Sequence, residues 1–226
     1  MINVSVITPI FNASKFLHQF LESYQRQKNI YKELICVDDC STDNSWNIIQ
    51  EYKDVFKIIR LEKNSWVSRA RNRGIEESSG EYITFIDSDD GIKPNFIKII
   101  LKHIETKRDG YFFDYDIYCD FKNVNVVKGE ENTMVWSKVF KREVLDKNSI
   151  KFDEKYYTRY VLGEDTDFCC RFLAATTDIE RIDIPIIDYS FGVENSISNS
   201  KQVLKEESWS DIFAKENKEI YDKFFK

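Results

Sequence analysis

The sequence predicts an α/β fold, with a mostly parallel central sheet flanked by helices. Two observations carry this. Strand-like and helix-like periodicities alternate in βαβαβαβ order over about the first 90 residues. Several of those strands also run into polar clusters, and ligands bind parallel sheets beyond the carboxyl ends of their strands. With seven glycines and three prolines in 226 residues, and no repeat or low-complexity stretch, nothing reads as a linker and one domain is expected.

The elements follow in order. "NVSVITPI" reads as a strand that stops at Pro9. Ser14 is placed to cap a helix whose apolar residues Phe16, Leu17, Phe20, Leu21 and Tyr24 have helical spacing. "ELICVDD" is the second strand, and "STDNSWNIIQEY" opens a helix capped by Ser41 or Asp43. "FKIIRL" is the third strand. A helix from about Val67 to Ser78 is ended by Gly80, and "EYITFID" is the fourth strand. This topology predicts that Thr8 to Asn12, Asp38 to Ser41 and Asp87 to Asp90 converge along one sheet edge.

The second half is less regular. "PNFIKIILKHIE" is an amphipathic helix with Pro94 in its first turn. "YFFDYDIYCDF" and "VNVVK" form a hairpin-like pair of strands, and "IERIDIPIIDYSF" is extended. "GEDTDFCCRFLAAT" has helical spacing with Phe168, Phe172 and Leu173 inward. The tail from Gln202 to Phe225 carries Trp209, Ile212, Phe213, Ile220 and Phe224 along one stripe. It reads as an amphipathic C-terminal helix packed on the domain, with a homodimer contact as the runner-up.

Composition narrows the function. The chain is 42% apolar and 15% aromatic, enough for a sizeable core. A net charge of −6 argues against a nucleic-acid surface. Five cysteines without a CxxC pair fit a reduced, cytoplasmic setting. No signal peptide and no span of ~20 apolar residues is evident. Peripheral association with the inner membrane face is left open.

The segment "YITFIDSDDG" is an electrostatic oddity, because an apolar strand ends in Asp87, Asp89 and Asp90. Like charges this close repel, and burying them is costly. The expectation is that only an arriving cation and diphosphate relieve the repulsion. Hard oxygen ligands suit Mg²⁺ or Mn²⁺, with water and substrate phosphate completing the shell. "VDDCSTD" ends another strand with Asp38 and Asp39, where one carboxylate can accept from a base N–H and the other from ribose hydroxyls. No GxxxxGK[ST] or GxGxxG motif is present, which disfavours a P-loop ATPase or a dinucleotide enzyme.

In their order and spacing, "VSVITPIFNASKFL", "ELICVDDCSTDNS", "ARNRGI" and "GEYITFIDSDD" resemble the inverting nucleotide-sugar glycosyltransferases of family 2, with the GT-A fold. "WSKVFKREVL" and "GEDTDFCCR" resemble the bacterial polysaccharide members, and the match covers about residues 3 to 175. The resemblance implies a nucleotide-binding half over about 1–92 and an acceptor-side half over about 93–226. It implies that Thr8, Pro9, Phe11 and Asp39 cradle the base of a nucleotide-sugar donor, with a UDP-sugar the first choice. Asp87 and Ser88 would hold the ribose or sugar, and Asp89 would reach the Mn²⁺ or Mg²⁺. Arg71 would lie near the nucleotide or steady Asp87. Asp165 would be the general base toward a saccharide or lipid-linked acceptor, with Trp136 and Glu164 on the acceptor side.

For Trp136, packing beneath the site is the alternative to stacking on a sugar. Asp165 opens a helix, whose dipole should keep its pKa low. The loop of Tyr156, Tyr157 and Arg159 is a candidate for ordering over bound donor. No histidine follows His103, so a late histidine metal ligand of some relatives is missing and the metal would depend mainly on Asp89, the diphosphate and water. Two further positions depart from the family pattern. Cys40 stands where a glycine is common, so its turn should avoid a glycine-dependent conformation. Trp66 occupies another common glycine position, where a large ring narrows the donor pocket or meets the acceptor. A nucleotidyltransferase and a non-catalytic sugar-nucleotide binding module are the alternatives.

Overall fold

The computed structural model describes residues 3–27, 32–119, 122–127, 134–154 and 163–191. The loop of Tyr156, Tyr157 and Arg159 and the tail from Gln202 to Phe225 lie outside the described residues. The elements run β1 (Val4–Ile10), α1 (Ser14–Gln25), β2 (Lys32–Asp38), α2 (Ser45–Gln50), β3 (Lys57–Arg60), α3 (Trp66–Glu77), β4 (Tyr82–Phe85), β5 (Gly91–Ile92) and α4 (Phe96–His103). There follow β6 (Gly110–Cys119), β7 (Lys122–Val127), β8 (Lys138–Lys141), α5 (Arg142–Lys147), α6 (Glu164–Ala175) and β9 (Ile179–Phe191).

The strands build one sheet in the order β3–β2–β1–β4–β8–β6–β9–β5, with β7 also paired to β6. The first four strands are parallel, as predicted, with registers such as Ile10↔Asp38, Asp38↔Arg60 and Ile7↔Phe85. Beyond β4 the sheet is mixed. β8 is antiparallel to both β4 and β6, β9 is parallel to β6, and β5 and β7 are antiparallel edges.

Both faces of the sheet are buried, which is why its strands read as nearly continuous apolar runs. On one face Val4, Val6, Ile10, Leu34 and Cys36 meet α1, α2 and α4. On the other, Ile7, Ile35, Val37, Ile83 and Phe85 meet α3, α5 and α6. The second core holds an aromatic cluster. Phe168 of α6 stacks on Phe152 with centroids 4.3 Å apart, and Phe85 at the end of β4 makes edge contacts to both rings at 5.8 and 5.2 Å. Burying rings of this kind contributes roughly 1.5–3 kcal/mol each. The cluster fixes the first turn of α6 against the carboxyl end of β4.

Helix α3 lies close on β1 because Gly74 has no side chain: a Cβ there would stand 2.3 Å from Ile7 Cγ2. Four local expectations are corrected. β1 continues through Pro9 to Ile10. α3 ends at Glu77 with Ser78 extended, so Gly80 does not terminate it. Gly80 instead permits a close approach to β1, its N–H donating to Ser5 Oγ at 2.8 Å. Pro94 precedes the cap of α4, which is Asn95. Ser14 does not cap α1. Asp43 accepts from Ser14 N–H at 3.1 Å and from Ser45 N–H at 2.9 Å, so one carboxylate serves the starts of α1 and α2 together. Burial raises the Asp43 pKa, but the hydrogen bonds from Ser45 and Ser14 outweigh it and hold the group below its ordinary value.

Candidate functional site

The three polar clusters do meet at the carboxyl ends of the parallel strands. Asn12 ties the first to the second: its N–H donates to Ser41 Oγ at 3.1 Å, and its Oδ1 accepts from the N–H groups of Thr42 (2.8 Å) and Asp43 (3.3 Å). Of the stretch Thr8 to Phe11, Thr8 is fully buried inside β1, whereas the Phe11 ring is 47% exposed.

The two adjacent aspartates have different environments. Asp38 is fully buried, paired with Arg60 Nε at 3.3 Å and facing the Ser41 N–H, so it braces the turn from inside the fold. Asp39 is also buried, at 3% exposure, just beyond the end of β2. Its N–H donates to Ile10 O at 2.8 Å, and its two carboxylate oxygens accept from Ser65 N–H and Trp66 N–H at 2.7 Å each. Burial raises the Asp39 pKa, and those two N–H donors oppose the rise. A carboxylate offers about four acceptor positions, so Asp39 has capacity left for a ligand.

Three side-chain-bearing residues on this edge have positive φ: Asn12 (51°), Cys40 (60°) and Trp66 (72°). The expectation for Cys40 is therefore overturned, since its turn does use the left-handed region. That conformation costs a residue with a Cβ roughly 1–2 kcal/mol, and such strain concentrates at functional sites.

The centre of the site is Arg71 of α3, which is 3% exposed. Its Nη1 lies 2.5 Å from Asp165 Oδ1 and 3.3 Å from Glu164 Oε1, and its Nη2 lies 3.1 Å from Asp87 Oδ1. The guanidinium carbon stands 5.2 Å above the Phe152 ring. Part of the repulsion at Asp87 is thus already relieved by the protein, without a cation. Asp165 Oδ2 also accepts from Val135 N–H at 3.3 Å. Burial tends to lower the Arg71 pKa, but Asp165, Asp87 and Glu164 together drive it well above the usual arginine value.

The carboxylates respond in kind. Burial raises the pKa of Asp165 against the pull of Arg71, so the dipole-based expectation of a low value fails. Glu164 is pushed up to about 7, first by burial and then by the charge of Asp165. Asp89 rises to about 6, through burial and the neighbouring charge of Asp87. A free-energy cost of holding both Asp87 and Asp89 ionised is what a divalent cation would repay. Among the described residues no three His, Cys, Asp or Glu side chains form a metal cluster. Ser88 is buried within the turn, and Asp90 N–H closes that turn on Asp87 O at 3.2 Å.

Trp136 is 3% exposed, edge-on to Tyr115 at 4.4 Å and stacked on Tyr189 at 4.9 Å. That is the packing alternative, with the ring inside the core. Sequence reasoning missed Asn72. Its Oδ1 accepts from Phe152 N–H at 2.8 Å and its Nδ2 donates to Phe152 O at 2.9 Å, which seats Phe152 beneath Arg71. Its place in "ARN", beside the buried arginine, was the available signal. A charged depression of about 570 Å³ lined by Glu81, Lys141, Arg142, Glu143, Asp146 and Lys147 lies at the amino end of β4, away from this chemistry.

Comparisons with known proteins agree with this geometry. The family model described as Glycosyl transferase family 2 matches residues 5–173. TarP of Staphylococcus aureus (strain N315), a poly(ribitol-phosphate) beta-N-acetylglucosaminyltransferase, is 32% identical over 252 aligned residues, covering 100% of this chain and 73% of TarP. EpsH of Bacillus subtilis (strain 168) is 26% identical over 226 aligned residues, covering 90% of this chain and 65% of EpsH. The crystal structure of residues 1–349 of S. aureus TarS in complex with UDP-GlcNAc superposes with a TM-score of 0.77 at 22% identity, covering 88% of this chain and 61% of that one. The chain is therefore shorter than each of these relatives. The GT-A architecture expected from the sequence holds, and the nucleotidyltransferase alternative falls away. The chain belongs to glycosyl transferase family 2.

Proposed function

We propose that the chain moves a sugar from a UDP-sugar to a hydroxyl of a saccharide or lipid-linked acceptor in surface-glycan assembly, by a single displacement that inverts the anomeric centre. The observation that carries this reading is the gathering of Asp87, Glu164 and Asp165 on one buried guanidinium, with Asp89 beside Asp87. In this reading residues 1–92 hold the donor and the later half meets the acceptor. The names of TarP and TarS make an N-acetylhexosamine donor the first to try.

The residues fit a hard divalent cation of the Mg²⁺ or Mn²⁺ kind: Asp89 would hold it, with Asp87 adjacent and diphosphate and water as the other ligands. When bound, it supplies positive charge to the departing diphosphate. The chain's own groups do the rest. Phe11 and Asp39 orient the base. Asp165 takes the proton from the acceptor hydroxyl on Oδ2, which carries only the longer 3.3 Å bond from Val135 N–H, whereas Oδ1 is engaged by Arg71 at 2.5 Å. The hydroxyl oxygen bonds to the anomeric carbon, and the bond to the diphosphate breaks with its electron pair leaving on the nucleotide. Burial makes Asp165 a stronger base than an exposed aspartate. Glu164 is the second reading for this role, favoured by its pKa of about 7 and its longer 3.3 Å contact to Arg71.

The test is a thermal-stability screen of UDP-, GDP- and dTDP-sugars with Mn²⁺, followed by an assay for nucleotide release. A saturating donor should stabilise the fold by ~2–4 kcal/mol and turn over with metal. No stabilisation and no release with any donor would refute the reading. A set of donors that bind without release would favour the non-catalytic module.

A further inference from the structure

We propose that Trp66 is a specificity-determining residue whose indole stacks on the nucleobase of the donor, across from Phe11. This rests on the reading of the site as a nucleotide-sugar site and goes beyond it in naming a second wall for the base.

Three observations converge. Trp66 holds φ at 72°, a conformation that disfavours any residue with a Cβ and most of all a bulky one. Trp66 is nonetheless 39% exposed, unlike the 3% of the core tryptophan Trp136. Five large hydrophobic residues are exposed among the described residues, and two of them, Phe11 and Trp66, are tied through the backbone to Asp39.

Those ties are hydrogen bonds. Asp39 N–H donates to the carbonyl of Ile10, one residue before Phe11, at 2.8 Å. Asp39 Oδ2 accepts from the N–H of Trp66 itself at 2.7 Å. Trp66 is therefore bonded to Asp39 directly, and Phe11 follows the residue that Asp39 bonds to. An acceptor carboxylate with unused lone pairs, held by the backbone of one exposed aromatic residue and close in the chain fold to another, suits a planar heteroaromatic ring that carries an N–H on its edge. A pyranose ring is puckered, and an acetamido sugar carries its N–H on a side arm and not on the edge of a flat ring. The residue whose amide meets Asp39 is also the one in the left-handed region, so strain that a glycine would avoid is kept together with the ring.

The experiment uses the purified chain with Trp66→Gly and Trp66→Phe, and calorimetric titration with UDP and with inorganic pyrophosphate, each with Mn²⁺. Stacking of a base on an aromatic ring predicts that Trp66→Gly binds UDP roughly 5- to 100-fold more weakly. Trp66→Phe should keep most of the affinity, and pyrophosphate should bind all three proteins alike. Glycine is at ease at this φ, so Trp66→Gly should melt no lower than wild type. UDP should also quench tryptophan fluorescence in wild type and lose that quench in Trp66→Phe, which keeps the test open should the glycine variant not fold. Equal UDP affinity in wild type and Trp66→Gly, or quenching undiminished in Trp66→Phe, overturns the assignment while leaving the site reading intact. A wild-type chain that binds no UDP refutes the donor reading, and this inference with it.

Discussion

Replacing Arg71 by Met is the most informative perturbation of the fold and site together. The guanidinium is 3% exposed and sits among Asp87, Glu164 and Asp165 at 3.1, 3.3 and 2.5 Å. Met keeps much of the volume but leaves three carboxylates facing one another without a counter-charge. Removing one partner of a buried ionic group costs about 3–5 kcal/mol. At about 2–4 °C per kcal/mol for a chain of this size, the melting temperature should fall by roughly 6–20 °C near neutral pH. The pH dependence has a definite sign. In wild type the pKa of Glu164 is already raised from 4.5 to about 7, and without Arg71 it and Asp165 rise further. The folded variant then holds protons that the unfolded chain releases, so its stability grows as pH falls through the folded pKa values and is lost as pH rises. The loss relative to wild type should therefore shrink from about pH 7.5 to about pH 5. Thermal and urea unfolding followed by circular dichroism at both pH values would measure this. A loss below about 2 °C near neutral pH, or a loss equal at both pH values, would refute the view of Arg71 as the counter-charge of the site.

Two further outcomes follow from the scaffold. Gly74→Ala should destabilise by about 1–3 kcal/mol in urea titration, because its Cβ would meet Ile7 Cγ2 at 2.3 Å and force α3 off β1. Asp43→Ala should lower stability by about 1–2 kcal/mol through loss of the shared cap of α1 and α2, while Asp43→Asn recovers most of it; equal loss in both would point to charge instead of capping.

The parallel half of the fold was legible because both faces of β1, β2 and β4 are buried, which leaves unbroken apolar runs that end where the chain turns polar. Asp87 and Asp89 stood out because charge at the end of such a run has no reason in packing. Other features depend on contacts between distant segments. Arg71 and Asp165 are 94 residues apart, and their pairing needed α3 and α6 on the same face of the sheet. The rise of the Asp165 pKa could not be read from its place at a helix start, because it comes first from burial, which outweighs the pull of Arg71. The left-handed backbone at Trp66 is held by Asp39, and nothing local to either residue announces it. Capping was misassigned for a similar reason: Ser14 has the right type and position, yet the carboxylate that serves α1 comes from the loop before α2. Trp136 is a case where the commoner fate of an aromatic ring prevailed, since Tyr115 and Tyr189 enclose it.

The central claim is that Asp165 takes the proton from the acceptor. The direct measurement is turnover of Asp165→Asn and Glu164→Gln beside their affinity for UDP. The account predicts that Asp165→Asn loses transfer by roughly 100-fold or more, the usual size of a positioned base, while UDP affinity stays within a few-fold of wild type. Glu164→Gln should keep most of its activity. Wild-type-like turnover in Asp165→Asn, with turnover abolished in Glu164→Gln, would contradict the account and move the base to Glu164.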